Sequence, residues 1–248
     1  MELQGKIAVV AGASGGIGRE LSRALAKQGA HVFLVGRREE VLEALKRDIE
    51  EKGGKANVYL ADLANEESVS GLTKSIEQKF GRVDILFNAQ GIGIYKKFPD
   101  ITFEDWKRQM VVNVDSVFLL SQKLLPLLEK SDKAYVISMG SGMGKVAVPG
   151  RSPYCASKFA LRGLMLSLAK EYRKTHIRFV ILTLGSVLTA FGPLSLEEKI
   201  EKQKEGKRYL DPVWLAEHIV TKLKHDTLFP ETSIYPKHYL EESRRGKT

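Results

Sequence analysis

The run Ile7-Ala8-Val9-Val10-Ala11 passes without a break into Gly12-Ala13-Ser14-Gly15-Gly16-Ile17-Gly18, after which Leu21, Leu25 and Ala26 recur at helical spacing. A short, continuous apolar run suits a strand buried on both faces. Strand, glycine-rich turn and helix in that order form a dinucleotide-binding unit. Glycines let the backbone approach a pyrophosphate, and its charge then meets the helix N-terminus. Gly12, Ser14, Gly15, Gly16, Ile17 and Gly18 are therefore candidate cofactor-binding residues.

The alternation repeats along the chain. Strands are expected at 32–35, 56–60, 83–87, 134–138 and 177–184, and helices at 39–52, 66–80, 103–128 and 153–172. Strands alternating with helices imply a parallel sheet covered on both faces. No linker rich in Pro, Gly or Ser divides the 248 residues, so the expectation is an α/β chain, one Rossmann-like doubly wound domain over 1–248 with about seven strands. Ser233-Ile234-Tyr235 is a candidate last strand, and residues 238–248 form a polar tail. Residues 190–210, with Leu196 and Ile200 in an otherwise charged helix, read as a substrate lid; a helix lying on a membrane surface is the lesser alternative.

In such a sheet ligands bind beyond the carboxyl ends of the strands. The residues there are chemically unusual: Gly36-Arg37-Arg38 after the second strand, Asp62 after the third, Asn88-Ala89-Gln90-Gly91 after the fourth, 138–144 after the fifth, Gly185-Ser186 after the sixth. A carboxylate at the end of the second strand would select a ribose 2′-hydroxyl, whereas Arg37, with Arg38 beside it, selects a 2′-phosphate. NADP(H) is preferred over NAD(H) on that ground.

Tyr154 and Lys158 lie one helical turn apart, so both polar tips can reach one reacting group. A fixed cation beside a phenol favours tyrosinate and makes the pair an acid/base device. Cys155 is the single cysteine, which rules out an internal disulfide and fits a reducing, cytoplasmic setting. The five histidines show no metal-ligand spacing, so no metal is expected. The net charge of +9 arises from 39 basic and 30 acidic residues spread along the chain, without a basic run interleaved with aromatics. That pattern argues against nucleic acid and for an anionic cofactor or substrate. No run of apolar residues is long enough for a membrane span, and the first six residues lack the layout of a signal peptide.

Taken together, AGASGGIG at 11–18, DILFNAQG at 84–91, VNV at 112–114, Ser141 and the Tyr154/Lys158 pair resemble the classical short-chain dehydrogenase/reductase family, in the correct order and over nearly the whole chain. Alanine replaces the usual threonine at Ala11, and only Asn88 and Gly91 of the family's NNAG remain. The resemblance implies a catalytic set of Asn113, Ser141, Tyr154 and Lys158. Tyr154 would exchange a proton with a carbonyl oxygen, Ser141 would hydrogen-bond that oxygen, Lys158 would lower the tyrosine pKa and hold the nicotinamide ribose, and Asn113 would hold a relay water. Ser138 and Ser152 compete with Ser141 for the hydroxyl role. Asp62 would contact the adenine, Asn88 the region near the adenosine ribose and Thr189 the carboxamide, with Leu63, Ala89, Gly91, Gly185 and Val187 also among the cofactor-binding residues.

Ile94, Tyr95, Val146, Val148 and Phe191, with Ser141, are the candidate substrate-binding residues, and their apolar character favours a hydrophobic ketone or aldehyde. The resemblance also implies a homo-oligomer, a tetramer or a dimer, pairing through the helices near 105–128 and 154–173. Two functions fit these features: an NADPH-dependent carbonyl reductase acting on a small-molecule carbonyl or alcohol, and a dinucleotide-sensing regulator without turnover. The intact acid/base pair favours the first.

Overall fold

In a computed structural model, described over residues 1–236, the sheet is wholly parallel and has seven strands: β1 (Ile7–Ala11), β2 (His31–Gly36), β3 (Lys55–Leu60), β4 (Ile85–Asn88), β5 (Ala134–Met139), β6 (Ile177–Leu184) and β7 (Glu231–Ile234). Their spatial order is β3-β2-β1-β4-β5-β6-β7. The order reverses direction between β1 and β4, and a crevice opens at such a switch point. β1 pairs with β2 on one side and β4 on the other, Ala11 standing beside Val35 and Asn88.

Strict alternation along β1 builds two cores. Ala8 and Val10 point to the layer of α1 (Gly16–Lys27), α2 (Glu39–Glu51) and α8 (Pro212–Lys224), where Leu21, Leu25, Leu45, Leu215 and Ile219 are buried. Ile7, Val9 and Ala11 point to the layer of α3 (Glu66–Phe80), α5 (Ser116–Leu128) and α6 (Ser152–Glu171), where Leu72, Ile76, Leu120, Leu124 and Met165 are buried. This is why the first strand carries no polar residue.

The helix expected at 103–128 is divided. α4 (Phe103–Met110) starts from a capping box of Thr102 and Asp105, and a π-turn, Val111–Asp115, separates it from α5. The whole stretch Phe103–Leu128 is long and apolar enough to cross a membrane by length and composition, contrary to the expectation from apolar runs alone. Val117, Leu120, Leu124, Leu127 and Leu128 are buried against the sheet, so its apolar face serves the core. α7 (Leu196–Lys204) occupies the expected lid and also starts from a capping box, Ser195 with Glu198. The last strand ends at Ile234, a residue short of the expected span, and the polar tail at 238–248 lies outside the described residues.

At the amino ends of the strands one carboxylate gathers the chain. Asp84, fully buried, accepts from the Ile7 amide (2.8 Å), the Ser131 hydroxyl (2.6 Å) and the Lys6 ammonium (3.1 Å), with Arg82 at 3.2 Å. Burial pushes its pKa up, but the Ile7 amide, Ser131 and Lys6 outweigh burial and hold it below the usual carboxylate range. Its contribution to stability is therefore present above the unfolded carboxyl value and is lost as pH falls through the folded one. Asp84→Ala is expected to cost about 3 kcal/mol, the scale for removing one partner of a buried charge cluster. Urea unfolding at neutral pH checks this, and the difference from wild type should shrink in acid.

Candidate active site

At the carboxyl end of β1 the chain passes very close to itself. A Cβ on Gly12, whose φ is 76°, would lie 2.6 Å from the Gln90 amide nitrogen, and one on Gly16 would lie 2.5 Å from Thr189 Cγ2. Side chains are excluded there by neighbouring backbone and by Thr189, so the turn into α1 presents bare peptide. Gly15 caps α1 with no side chain closing the helix end. This cradle fits a pyrophosphate: the helix offers free N–H groups, and the turn has no bulk to keep an anion away.

At the end of β2, Arg38 donates from Nε to Ser14 Oγ (3.3 Å) and from Nη2 to the Ser14 carbonyl oxygen. Arg37 is exposed and, among the described residues, forms no ion pair or side-chain hydrogen bond. Arg38 thus pins the glycine turn. Asp62, exposed, accepts from the Ala64 amide (3.1 Å) and so shapes the turn before α3, with Leu63 buried behind it.

Three further residues expected at the cofactor have partners within the chain. The Asn88 amide points into the sheet, donating to Ser138 Oγ (3.3 Å) and Ser121 Oγ (3.4 Å), so its side chain braces β4 against β5 and α5. Gly185 faces the chain's own C-terminal side, where a Cβ would stand 2.8 Å from Pro236. Val187 bridges to Leu210 and packs on the core, tying down the base of the lid. Ala89 is fixed by its amide, which donates to the Ala11 carbonyl (3.0 Å). Beside it Gln90 donates from Nε2 to Ser116 Oγ (3.1 Å) while its buried Oε1 has no partner.

The acid/base residues do converge. Tyr154 (6% exposed) and Lys158 (4%) are buried on α6, whose first turn rests on the short helical turn Gly142–Gly144. A Cβ on Gly144 would lie 2.7 Å from the Lys158 carbonyl oxygen, so only glycine lets α6 dock that closely. Ser141 hydrogen-bonds the phenol. Ser138, by contrast, is buried with its hydroxyl on Met165 Sδ (3.2 Å), and Ser152 is exposed in the first turn of α6. Of the three competing serines, Ser141 is the one beside Tyr154.

Asn113 sits in the π-turn, where the ladder of α-helical hydrogen bonds is interrupted, a local geometry frequent at functional sites. Its Oδ1 accepts from the Ile92 amide (2.9 Å), and its Nδ2 donates to the Ile92 carbonyl (3.0 Å) and to Ser157 Oγ (3.0 Å). One turn earlier, Gln109 accepts from the Ile94 amide (2.8 Å) and donates to the same Ile92 carbonyl (2.8 Å). These two amides clamp the loop after β4 so that Gly91 faces Asn113, Lys158 and Phe191. Gln109 was not expected from sequence; its only signal is its spacing, four before Asn113.

The electrostatics depart from expectation. Lys158 donates to the Met139 carbonyl (2.8 Å) and stands 5.7 Å from the Tyr154 ring centre. Burial alone lowers its pKa to about 8. Tyr154 moves up, not down: burial dominates, Tyr95 adds to it, and Ser141 and Arg151 pull the other way without prevailing. The phenol is thus held protonated, and the ammonium is the group nearest to titrating at neutral pH.

Aromatic rings roof the phenol. Tyr95 meets Tyr154 edge-on with centroids 5.4 Å apart, Phe191 lies at 6.0 Å, and the Arg151 guanidinium stacks over Tyr95 at 4.9 Å. Ile94 is held by Gln109, Val148 is half-buried, and Val146 is 65% exposed on the loop leading to α6. Two open clefts lie at the opposite end of the sheet, one lined by His31, Phe80 and Arg82 and the other by Arg23, Lys27 and Lys52, away from these groups.

A parallel seven-stranded sheet with a glycine cradle at its switch point and a buried Tyr/Lys pair at the same edge defines a dinucleotide-dependent oxidoreductase fold. The family model for the short-chain dehydrogenases matches residues 6–199, and the chain belongs to that family. It is 32% identical over 225 residues to the glycine betaine reductase of Emericella nidulans, covering 90% of this chain and 18% of that much longer protein. It is 29% identical to the 3-oxoacyl-acyl-carrier-protein reductase of Thermotoga maritima over 206 residues, 83% of this chain and 82% of the other. A metagenomic short-chain oxidoreductase solved in complex with NADP superposes with a TM-score of 0.79 at 28% identity, covering 96% of this chain and 99% of its own.

The lysine's displaced titration gives a signed expectation. With a folded value of about 8 against an ordinary lysine's 10.5, the unfolded chain binds more protons between those limits, so this group's penalty on stability is relieved as pH rises through that window. Lys158→Met should therefore be more stable than wild type at pH 7 and lose that advantage by about pH 10.5. Denaturant midpoints for both proteins across the range check this.

Proposed function

We propose that this protein is an NADP(H)-dependent carbonyl reductase that interconverts a hydrophobic ketone or aldehyde and its alcohol. The observation that carries the reading is a buried phenol, hydrogen-bonded to Ser141 and kept protonated, within the same buried cluster as Lys158 and Asn113 and at the same sheet edge as the glycine cradle. When bound, the nicotinamide supplies hydride to the carbonyl carbon. Tyr154 Oη gives its proton to the carbonyl oxygen, and the Ser141 hydroxyl donates a hydrogen bond to that oxygen as its charge grows. Lys158 holds the nicotinamide ribose and, with Asn113, serves the path by which the phenol regains its proton. Tyr95 and Phe191 exclude water and give the substrate an apolar wall.

The free Arg37 guanidinium supports recognition of a 2′-phosphate. Two relatives in the comparisons are named reductases, and the metagenomic relative was solved with NADP. Assembly as a dimer or tetramer through α5 and α6 is supported by Phe118 and Phe159, which are 48% and 44% exposed on those helices.

A panel of aromatic, acyl and steroid-like ketones with NADPH tests the reading. Turnover is expected, falling at least about a thousandfold in Tyr154→Phe, the upper part of the range for losing a general acid. Tight NADPH binding with no turnover across the panel would return the protein to the role of a cofactor sensor. For the cofactor itself, Arg37→Ala should weaken NADPH about tenfold, roughly one charge-assisted contact, and leave NADH little changed; equal losses for the two would remove the preference.

A further inference from the structure

The lid is docked by a charge. In α7, Leu196 and Ile200 are 37% and 38% exposed, whereas Lys199 is the one buried residue of the helix, at 6%. Its Nζ donates to the Thr189 carbonyl (2.7 Å) and to the Phe191 carbonyl. A helix docked by apolar burial shows the reverse pattern, with leucine and isoleucine inside and lysine in water. Here two charge-assisted hydrogen bonds to backbone take the place of a greasy face.

The two carbonyls belong to residues that reach the site from different sides. Thr189 Cγ2 fills the space where a Gly16 Cβ would be, so this residue touches the cradle. Phe191 packs on Tyr154, and its Cε2 lies 4.0 Å from the place of a Gly91 Cβ. Gly192 follows with φ 105°, a setting that other residues rarely adopt, and its Cβ position is 3.9 Å from Lys199 Nζ. One ammonium therefore spans the turn 189–192. Burial lowers the pKa of Lys199, and the nearby charge of Lys207 adds to the effect. An ammonium out of water is tolerated while both carbonyls are in place. Opening of the turn would return the ammonium to water, and α7 itself buries little apolar surface to hold it closed.

We propose that Lys199 is a positioning residue that latches the lid, its hold on the Thr189 and Phe191 carbonyls making lid closure and ordering of the cofactor cradle one event. The part of this that concerns NADPH rests on the reductase reading above. Protease Glu-C, which cuts after Glu197, Glu198, Glu201 and Glu205 of the lid, reads the latch without turnover. In Lys199→Met, cleavage of the lid is expected to speed up about tenfold, and NADPH binding followed by tryptophan fluorescence to weaken by a similar factor, the scale of one hydrogen bond to a charged group. Lys199→Arg keeps the charge and should recover most of both, and the Tm of each variant should stay near wild type because α7 buries so little. Cleavage and NADPH affinity within about twofold of wild type in Lys199→Met overturn the latch, as does Lys199→Arg behaving like Lys199→Met. A ketone panel that stays silent while the lid loosens counts against the reductase reading alone.

Discussion

Lys158 holds a charge where water does not reach, with the Met139 carbonyl as its hydrogen-bond acceptor, and the geometry of the site follows from that contact. Met139 is the last residue of β5 and Lys158 lies in the second turn of α6, so the bond fixes how the helix leaves the sheet. The loop between them has to be compact enough for α6 to sit on it, which Gly144 allows. Tyr154, one turn earlier, is then carried to the Ser141 hydroxyl, and Ser157 comes within reach of Asn113. A buried ammonium is destabilising by itself. The two helical layers, each with its own buried cluster, supply the stability that tolerates it.

The two ends of the sheet are built from different interactions. At the amino ends a buried carboxylate is satisfied by four groups of this chain, which leaves nothing for a ligand. At the carboxyl ends the polar groups are only partly satisfied among the described residues: Arg37 has no side-chain partner there, Gln90 Oε1 has none, and the first N–H groups of α1 have no side-chain cap. Completed networks rigidify, whereas open donors and acceptors invite a guest. The same contrast separates α7 from α1, α2, α3, α5, α6 and α8, since α7 is held by Lys199 and they bury leucines.

The sequence made the sheet legible because β1, β4 and β5 are buried on both faces, and their continuous apolar runs of three to five residues have few other uses. Helix starts were legible where a side chain caps them, as at Asn65 and Thr102. The π-turn was not, because VVNVD has the composition of an ordinary helix and the interruption lies in the backbone bonding around Asn113. At the site, the Tyr154/Lys158 spacing and the glycine turn followed from helix geometry and close approach. The position of Asn88 at a strand end is readable, but which way its amide turns depends on Ser121 and Ser138, 33 and 50 residues away. Gln109 and Lys199 escaped notice for the same cause, since each acts on backbone carbonyls and amides, which leave no trace in residue type.

Burial also acts on both members of the Tyr154/Lys158 pair. A cation one turn from a phenol lowers the phenol's pKa in water-like surroundings, and Lys158 stands 5.7 Å from the Tyr154 ring. Once both groups are buried, desolvation acts on each in the direction of its neutral form, raising the phenol and lowering the ammonium. The neutral, protonated phenol is therefore the form the fold favours. A tyrosinate at this position would lie under Tyr95 and Phe191. Ser141 and the Arg151 charge are what pull the phenol the other way, and Arg151 owes its position to the face of Tyr95. The phenol is therefore tuned less by its partner on α6 than by burial and the aromatic roof above it.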